Sequence, residues 1–118
     1  MERKLEEKCL PPIREALHIL GGKWSFLVLA QLYIRPHRFN QLRRKVDDIS
    51  TKALTDTLRH LEHNEIIHRQ VFPTVPVTVE YSLTEKGREF QGVLIEMYHW
   101  GQKWGRSQDE MNPGHLVS

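Results

Sequence analysis

"RFNQLRRKVDDISTKALTDTLRHLEHNEII", Arg38 to Ile67, is the stretch that decides the fold of this 118-residue chain. Phe39, Leu42 and Val46 fall on the inner side of a short helix, and Arg43, Arg44 and Lys45 lie outward or beside them. "DDIS" reads as a turn, with Ser50 placed to cap a second helix. On that second helix Ala53, Leu54, Leu58 and Leu61 recur at helical spacing, while Ser50, Thr51, Lys52, Thr55, Asp56, Arg59 and His60 occupy the other side. Threonine is a mediocre helix former, because its branched Cβ restricts χ1 and its hydroxyl competes for backbone bonds. Glu or Lys would solvate such a face better, so the outer face is built for contact. Two short helices joined by a turn of about four residues form the pattern of a helix-turn-helix.

Upstream, Pro11 and Pro12 suit the start of a first helix that carries Ile13, Ala16, Leu17 and Leu20 on one face and ends at Gly21 and Gly22. "KWSFLVLAQLYI" follows as a second helix, so apolar that burial on most sides is expected, and Pro36 stops it. Downstream the periodicity changes. "IIHRQVF" and "VTVEYSL" are rich in β-branched and aromatic residues and flank "PTVP", which reads as a β-hairpin with a loop at its tip, placed as a wing. Thr84 then caps a last helix running through "EKGREFQGVLIEMYHWGQKW". Its stripe of Phe90, Leu94, Met97, Gly101 and Trp104, widened by Val93, Tyr98 and Trp100, exceeds what one small core needs. A two-fold dimer through this helix, with the first helix contributing, is the expected outlet.

The expected fold is therefore mainly α with a small β-hairpin: one winged helix-turn-helix domain over residues 1–118. Its core spans about 9–106, the ends Met1 to Lys8 and Asp109 to Ser118 are loosely held, and the N- and C-terminal helices form the dimer interface. Net charge is only +2, but between Arg35 and Lys52 six basic residues stand against two acidic ones, a local footprint for phosphate. No run approaches the ~18 apolar residues of a membrane span, and no N-terminal stretch has signal-peptide flanks. A single cysteine, Cys9, excludes an internal disulfide and a four-cysteine zinc site and fits a reducing compartment. The expectation is a cytoplasmic protein without membrane contact.

The segments "HILGGKWSFLVL", "RFNQLRRKVDDISTKALTDTLRHLEHNEII", "PTVPVTVEYSLTEKG" and "HWGQKW", in that order from Cys9 to Trp104, resemble the HxlR family of bacterial winged-helix, MarR-like transcription regulators. The resemblance implies a homodimer that binds double-stranded DNA at pseudo-palindromic operators near regulated promoters. Two positions depart from the family pattern. Leu10 separates Cys9 from Pro11 where family members commonly have Cys-Pro, and Thr51 and Lys52 stand where a proline often follows the capping serine. The second departure leaves the Thr51 N–H free to meet a phosphate.

On that reading Thr51, Lys52, Thr55, Asp56 and Arg59 meet base edges or flanking phosphates in the major groove. Asp56 would repel phosphate, so it is assigned to a cytosine amine or to orienting Arg59 or Lys52. Ser50 caps the helix and reaches phosphate; Arg38, Arg43 and Arg44 position the DNA backbone, and Lys45 does so or only solvates its face. Arg69, the only Lys or Arg in the hairpin strands, is assigned to DNA binding from the wing, and the wing, with Thr74 and Thr78 at its tip, offers phosphate contacts rather than an inserted arginine. Ile13, Leu17, Leu94, Met97, Tyr98, Trp100 and Trp104 are assigned to the dimer interface.

Some family members sense oxidants or electrophiles through a cysteine near this position, which makes Cys9, beside Lys8 and near a helix start, a candidate for a small reactive inducer. A small apolar residue at the dimer interface is the plainer role. His60, His63 and His68 lack a cysteine or carboxylate to complete a metal set and read as exposed helix-end histidines. No cofactor motif or nucleophile–base pair is present, so an enzyme, including one using Cys9 as nucleophile, is not expected. The competing non-enzymatic reading is a winged helix used only for protein contacts, which would call for an apolar outer face on Ile49 to Ile67.

Overall fold

Pro11 and Pro12 sit in the first turn of α1 (Leu10–Leu20), where their missing N–H groups cost nothing, and the helix begins at Leu10, before the prolines rather than after them. This computed structural model describes residues 4–106. Of the ends expected to be loosely held, Met1 to Arg3 and Asp109 to Ser118 lie outside those residues, and Glu7–Cys9 forms a 3-10 turn. Gly21, with φ of +87°, turns the chain into α2 (Lys23–Ile34), and its N–H closes α1 on the Leu17 carbonyl at 3.0 Å. Ser25, Val28, Leu29 and Leu32 are the buried residues of α2; Leu27 and Ile34 are exposed. The expectation of burial on most sides is thus corrected: high mean hydropathy does not specify how many faces have a neighbour.

A two-residue strand β1 (His37–Arg38) leads into α3 (Phe39–Lys45). The Arg38 N–H is held by the Gln41 side-chain oxygen at 2.8 Å, one half of a capping box. After a turn containing Asp48 at φ of +64°, α4 (Thr51–His63) begins on its Ser50 cap, whose hydroxyl accepts from the Ala53 N–H at 3.0 Å. The other end of α4 is a Schellman closure. Glu65 takes φ of +61°, its N–H bonds the Glu62 carbonyl at 2.9 Å, and the Ile66 N–H bonds the Leu61 carbonyl at 2.9 Å.

The hairpin is β2 (Ile67–Phe72) and β3 (Thr78–Leu83), antiparallel from Ile67 opposite Leu83 to Phe72 opposite Thr78. The expected two-stranded wing is in fact a three-stranded sheet of order β1-β3-β2, in which His37 pairs with Tyr81 and Arg38 with Glu80. β1 therefore fastens the start of α3 to the wing. One core serves these elements: Val28 and Leu29 of α2, Leu42 of α3, Leu54, Leu58 and Leu61 of α4, and Ile67 and Leu83 of the sheet, with Val46, Ile49 and Ile66 closing the turns.

Thr84 caps α5 (Glu85–Glu89), accepting from the Gly87 N–H at 3.1 Å and donating to the Glu65 carbonyl at 2.6 Å and that of Ile66 at 3.0 Å. A Cβ at Gly87 would collide with the Ile66 carbonyl oxygen, so only glycine allows this approach. The Tyr33 hydroxyl of α2 donates to the Gly87 carbonyl, and burial pushes its phenol up to about 12. The single long terminal helix of the sequence reading is two helices. The ladder breaks at Phe90, whose carbonyl takes the Val93 and Leu94 N–H groups at 3.0 and 3.3 Å and so starts α6 (Gln91–Trp104). Apolar spacing runs through the break unchanged, and Gly87 and Gly92 weaken the helix on either side of it.

By its internal contacts the chain divides into two compact units, one ending at Arg88 and one beginning at Glu89. The second consists, among the described residues, of the end of α5 and α6, which has no buried residue. Among the described residues no single helix is long and apolar enough to cross a membrane; α1 and α2 pass that test only as a pair, bent by 76°.

Candidate nucleic-acid interface

Three ångström-scale anchors place the outer face of α4: the Ser50 cap at one end, the Schellman closure at the other, and Leu54, Leu58 and Leu61 pressed into the core between them. Opposite that stripe Ser50, Thr51, Lys52, Asp56 and Arg59 are exposed, with Thr55 half-buried at one edge. Lys52 Nζ lies 2.9 Å from Asp56 Oδ2, one helical turn on. Of the roles weighed for Asp56, the geometry shows a partnership with Lys52 and none with Arg59. The pair is exposed and holds about 0.3–0.5 kcal/mol, so it can open to present Lys52 elsewhere.

Arg43, Arg44 and Lys45 form the last turn of α3, all exposed and all favourably placed at a helix C-terminus. With Lys52 across the turn they form a cationic margin around the start of α4. Arg38 is exposed at the junction of β1 and α3. The structure thus gathers Arg38, Arg43, Arg44 and the α4 residues onto the helix-turn-helix segment.

Arg69 is placed differently. It lies on β2, away from the wing tip, and its Nε is 3.5 Å from Glu62 Oε2 of α4. Together with Arg59, Thr55, Leu58, Phe39 and Tyr81 this pair lines a cavity of about 380 Å³ between α4 and the sheet. Tyr81 is held above its ordinary pKa, first by burial, then by the Glu62 carboxylate, against the opposing pull of Arg69 and Arg59. Phe39, Glu62 and Tyr81 were absent from the sequence-derived site, since the β2–β3 register that sets Tyr81 opposite Arg69, and the packing of α4 against it, leave no local pattern. At the wing tip the Thr74 hydroxyl donates to the Pro76 carbonyl at 2.8 Å and lies 3.1 Å from the Thr78 hydroxyl, while Val75 is fully exposed. The threonines brace the loop and the tip itself is apolar.

His60 departs from the sequence reading too. It is not an exposed helix-end residue but half-buried, its Nε2 2.7 Å from the Ile19 carbonyl of α1. His37, also unassigned, is 1% exposed and donates from Nδ1 to the Arg35 carbonyl at 2.7 Å, fixing β1. Cys9 is half-buried at the junction of the 3-10 turn and α1, and neighbouring Lys8 lies 3.6 Å from Glu6. Of the residues assigned to a dimer interface, Ile13, Leu17, Met97, Tyr98, Trp100 and Trp104 are exposed, and Leu94 is half-buried.

Comparison with known proteins agrees with this architecture. The chain is 41% identical over 100 residues to the HTH-type transcriptional regulator YdeP of Bacillus subtilis (strain 168), covering 85% of this chain and 78% of that one. It is 47% identical over 93 residues to the HTH-type transcriptional regulator sll1512 of Synechocystis sp. (strain ATCC 27184 / PCC 6803 / Kazusa), covering 79% and 69%. Among solved structures, the redox regulator HypR in its reduced form superposes with a TM-score of 0.74 at 39% identity, over 78% of this chain and 91% of that one. HypR is also known in an oxidised form, with a TM-score of 0.75. The model of the HxlR-like helix-turn-helix family matches residues 19–109. The chain belongs to the HxlR-like helix-turn-helix family, whose members named above are transcriptional regulators rather than enzymes.

Proposed function

We propose that this protein is a sequence-specific DNA-binding transcriptional regulator that acts in the cytoplasm as a homodimer on a pseudo-palindromic operator. The observation that carries the reading is the outer face of α4: short hydrogen-bonding groups and one arginine on a helix rigidly capped and docked, flanked by the cations of α3. Short side chains let a helix approach base edges, and Arg59 has the planar fork that guanine accepts. Arg38, Arg43, Arg44 and the Ser50 end of α4 hold phosphates; Thr51, Lys52, Thr55 and Arg59 read or flank bases; Arg69 acts from the cleft beside α4. The exposed aromatic face of α6, with Ile13 and Leu17 of α1, supports a two-fold interface, as the operator symmetry requires.

Selection of duplexes from a random pool by the full chain tests this. A palindromic consensus with salt-sensitive binding is expected, and Arg59→Ala should relax preference at one base position while Arg43→Ala weakens all sites alike. Absence of any enriched sequence would return the chain to a protein-contact module; uniform loss from both substitutions would remove Arg59 from base reading.

The likeness to a redox regulator supports a second element of the proposal, that Cys9 responds to an oxidant or electrophile. With one cysteine per chain the products open to it are an intersubunit disulfide, a mixed disulfide with a small thiol, or an alkylated sulfur. Operator affinity with and without a thiol oxidant, in the native chain and Cys9→Ser, should differ only in the native chain; equal affinity throughout would overturn this element.

A further inference from the structure

Between its capped ends, helix α4 is held against the rest of the chain by two kinds of contact. Leu54, Leu58 and Leu61 set its depth, but apolar contacts have no direction and tolerate small rotations of a helix about its axis. Direction comes from the two edges of the outer face. On one edge Glu62 meets Arg69 at 3.5 Å in an exposed and therefore weak ion pair. On the other edge His60 Nε2 meets the Ile19 carbonyl at 2.7 Å, joining residues 41 apart in sequence.

The second contact is built in from both sides. Ile19 lies in the last turn of α1, where carbonyls have no partner within the helix, and His60 supplies the missing donor. Because a carbonyl only accepts, Nε2 carries the hydrogen. Gly21 closes over the ring: a Cβ there would stand 3.4 Å from His60 Cδ2 and 3.2 Å from Ser25 Oγ, at a φ of +87° that side chains rarely adopt.

We infer that His60 is a positioning residue for base recognition, fixing the rotational setting of α4 through the Ile19 carbonyl. At 100° per residue, Lys52, Asp56 and Arg59 lie between the edges marked by His60 and Glu62, so the two ties bracket the reading surface. A rotation of roughly 15° moves a side chain ~6 Å from the helix axis by roughly 1.5 Å. Bidentate contact with a base tolerates about 0.5 Å. Phosphate contacts made by flexible lysines and arginines tolerate far more, so losing the tie reduces discrimination before it reduces affinity.

This inference rests on the DNA-binding reading, and its test separates the two. The probes are a duplex selected by the native chain and a scrambled duplex of equal length and composition. His60→Gln places an amide N–H near the position of Nε2, whereas His60→Asn is equally polar and too short to reach Ile19. His60→Gln should keep the ratio of selected to scrambled affinity within about twofold, and His60→Asn should lower it about tenfold with scrambled binding and its salt slope unchanged. Equal ratios in the native chain and His60→Asn, equal losses in both variants, or a parallel loss on both duplexes would overturn the role of His60. Failure of the native chain to select any duplex would instead overturn the DNA-binding reading. Should His60→Asn not fold, nitrogen NMR of the native chain decides: His60 as the Nε2–H tautomer, coupled to the Ile19 carbonyl, is expected, and the Nδ1–H tautomer refutes the tie.

Discussion

Helices α4 and α6 are nearly equal in length, 13 and 14 residues, and opposite in what they bury. α4 is the more polar, yet Leu54 and Leu61 are fully buried and Leu58 nearly so; α6 carries Val93, Ile95, Met97, Tyr98, Trp100 and Trp104, all exposed, with Trp100 at 69%. Apolar content does not decide burial; a complementary surface does. α4 finds its complement within its own chain, in α1, α2 and the sheet. α6 carries the larger apolar surface, and the proposed second copy is its complement.

The contrast is broken most forcefully at its two centres. Leu54→Ala opens a cavity in the core and should cost about 2–5 kcal/mol by denaturant titration, at every protein concentration. Trp104→Ala should leave the helical circular dichroism unchanged and instead raise the dimer dissociation constant about tenfold or more, by sedimentation. If Trp104→Ala lowers stability as Leu54→Ala does, independent of concentration, the aromatic face belongs to the chain's own core.

What separates these helices also separates what could be read from the sequence. The α3–turn–α4 segment was legible residue by residue because its determinants are local: the Ser50 cap, the leucine stripe and the cations of the last α3 turn all act within a few residues. β1 was not, because His37 and Arg38 are too few to show a period and their partners, Tyr81 and Glu80, lie more than 40 residues on. A similar distance, 41 residues, hid the bond from His60 to Ile19. The cleft of Arg59, Glu62, Arg69 and Tyr81 was hidden because the packing of α4 on the sheet, not local spacing, assembles it. The break at Phe90 was hidden for another reason. Apolar residues keep helical spacing through it, and only the close approach of Gly87 to Ile66 distinguishes α5 from the helix that follows.

The end of α4 offers finer tests of how firmly it is held. Thr84→Ala removes the acceptor for the Gly87 N–H and the donor to the Glu65 and Ile66 carbonyls, so a loss of about 1–2 kcal/mol is expected in thermal or chemical unfolding. Glu65→Gly acts in the opposite direction. A left-handed conformation costs a side-chain-bearing residue about 1–2 kcal/mol, and glycine's greater freedom in the unfolded chain returns about 0.5–1 kcal/mol of that. A net gain of about 0.5–1 kcal/mol should appear as a higher melting temperature; a decrease would mean that the Glu65 side chain contributes to the closure.

An effect of similar size concerns the tie between α2 and α5, and pH exposes it. Tyr33 donates to the Gly87 carbonyl, and its folded pKa, about 12, exceeds the ordinary 10.0, so folding favours the protonated phenol. Its contribution is complete below pH 10 and is lost as pH rises from 10 to 12, because the unfolded chain releases its proton first. Tyr33→Phe lacks both the bond and the titration. At neutral pH the variant should be less stable by about 1 kcal/mol, the worth of one hydrogen bond. Between pH 10 and 12 the native chain should lose that advantage and then fall below the variant, so the two melting curves meet and cross. Tyr81, raised in the same direction, titrates in both proteins and cancels from the difference. Parallel curves through this range would show that the Tyr33 proton is not held by folding, and the α2–α5 tie would then rest on the buried neighbours of Gly87 alone.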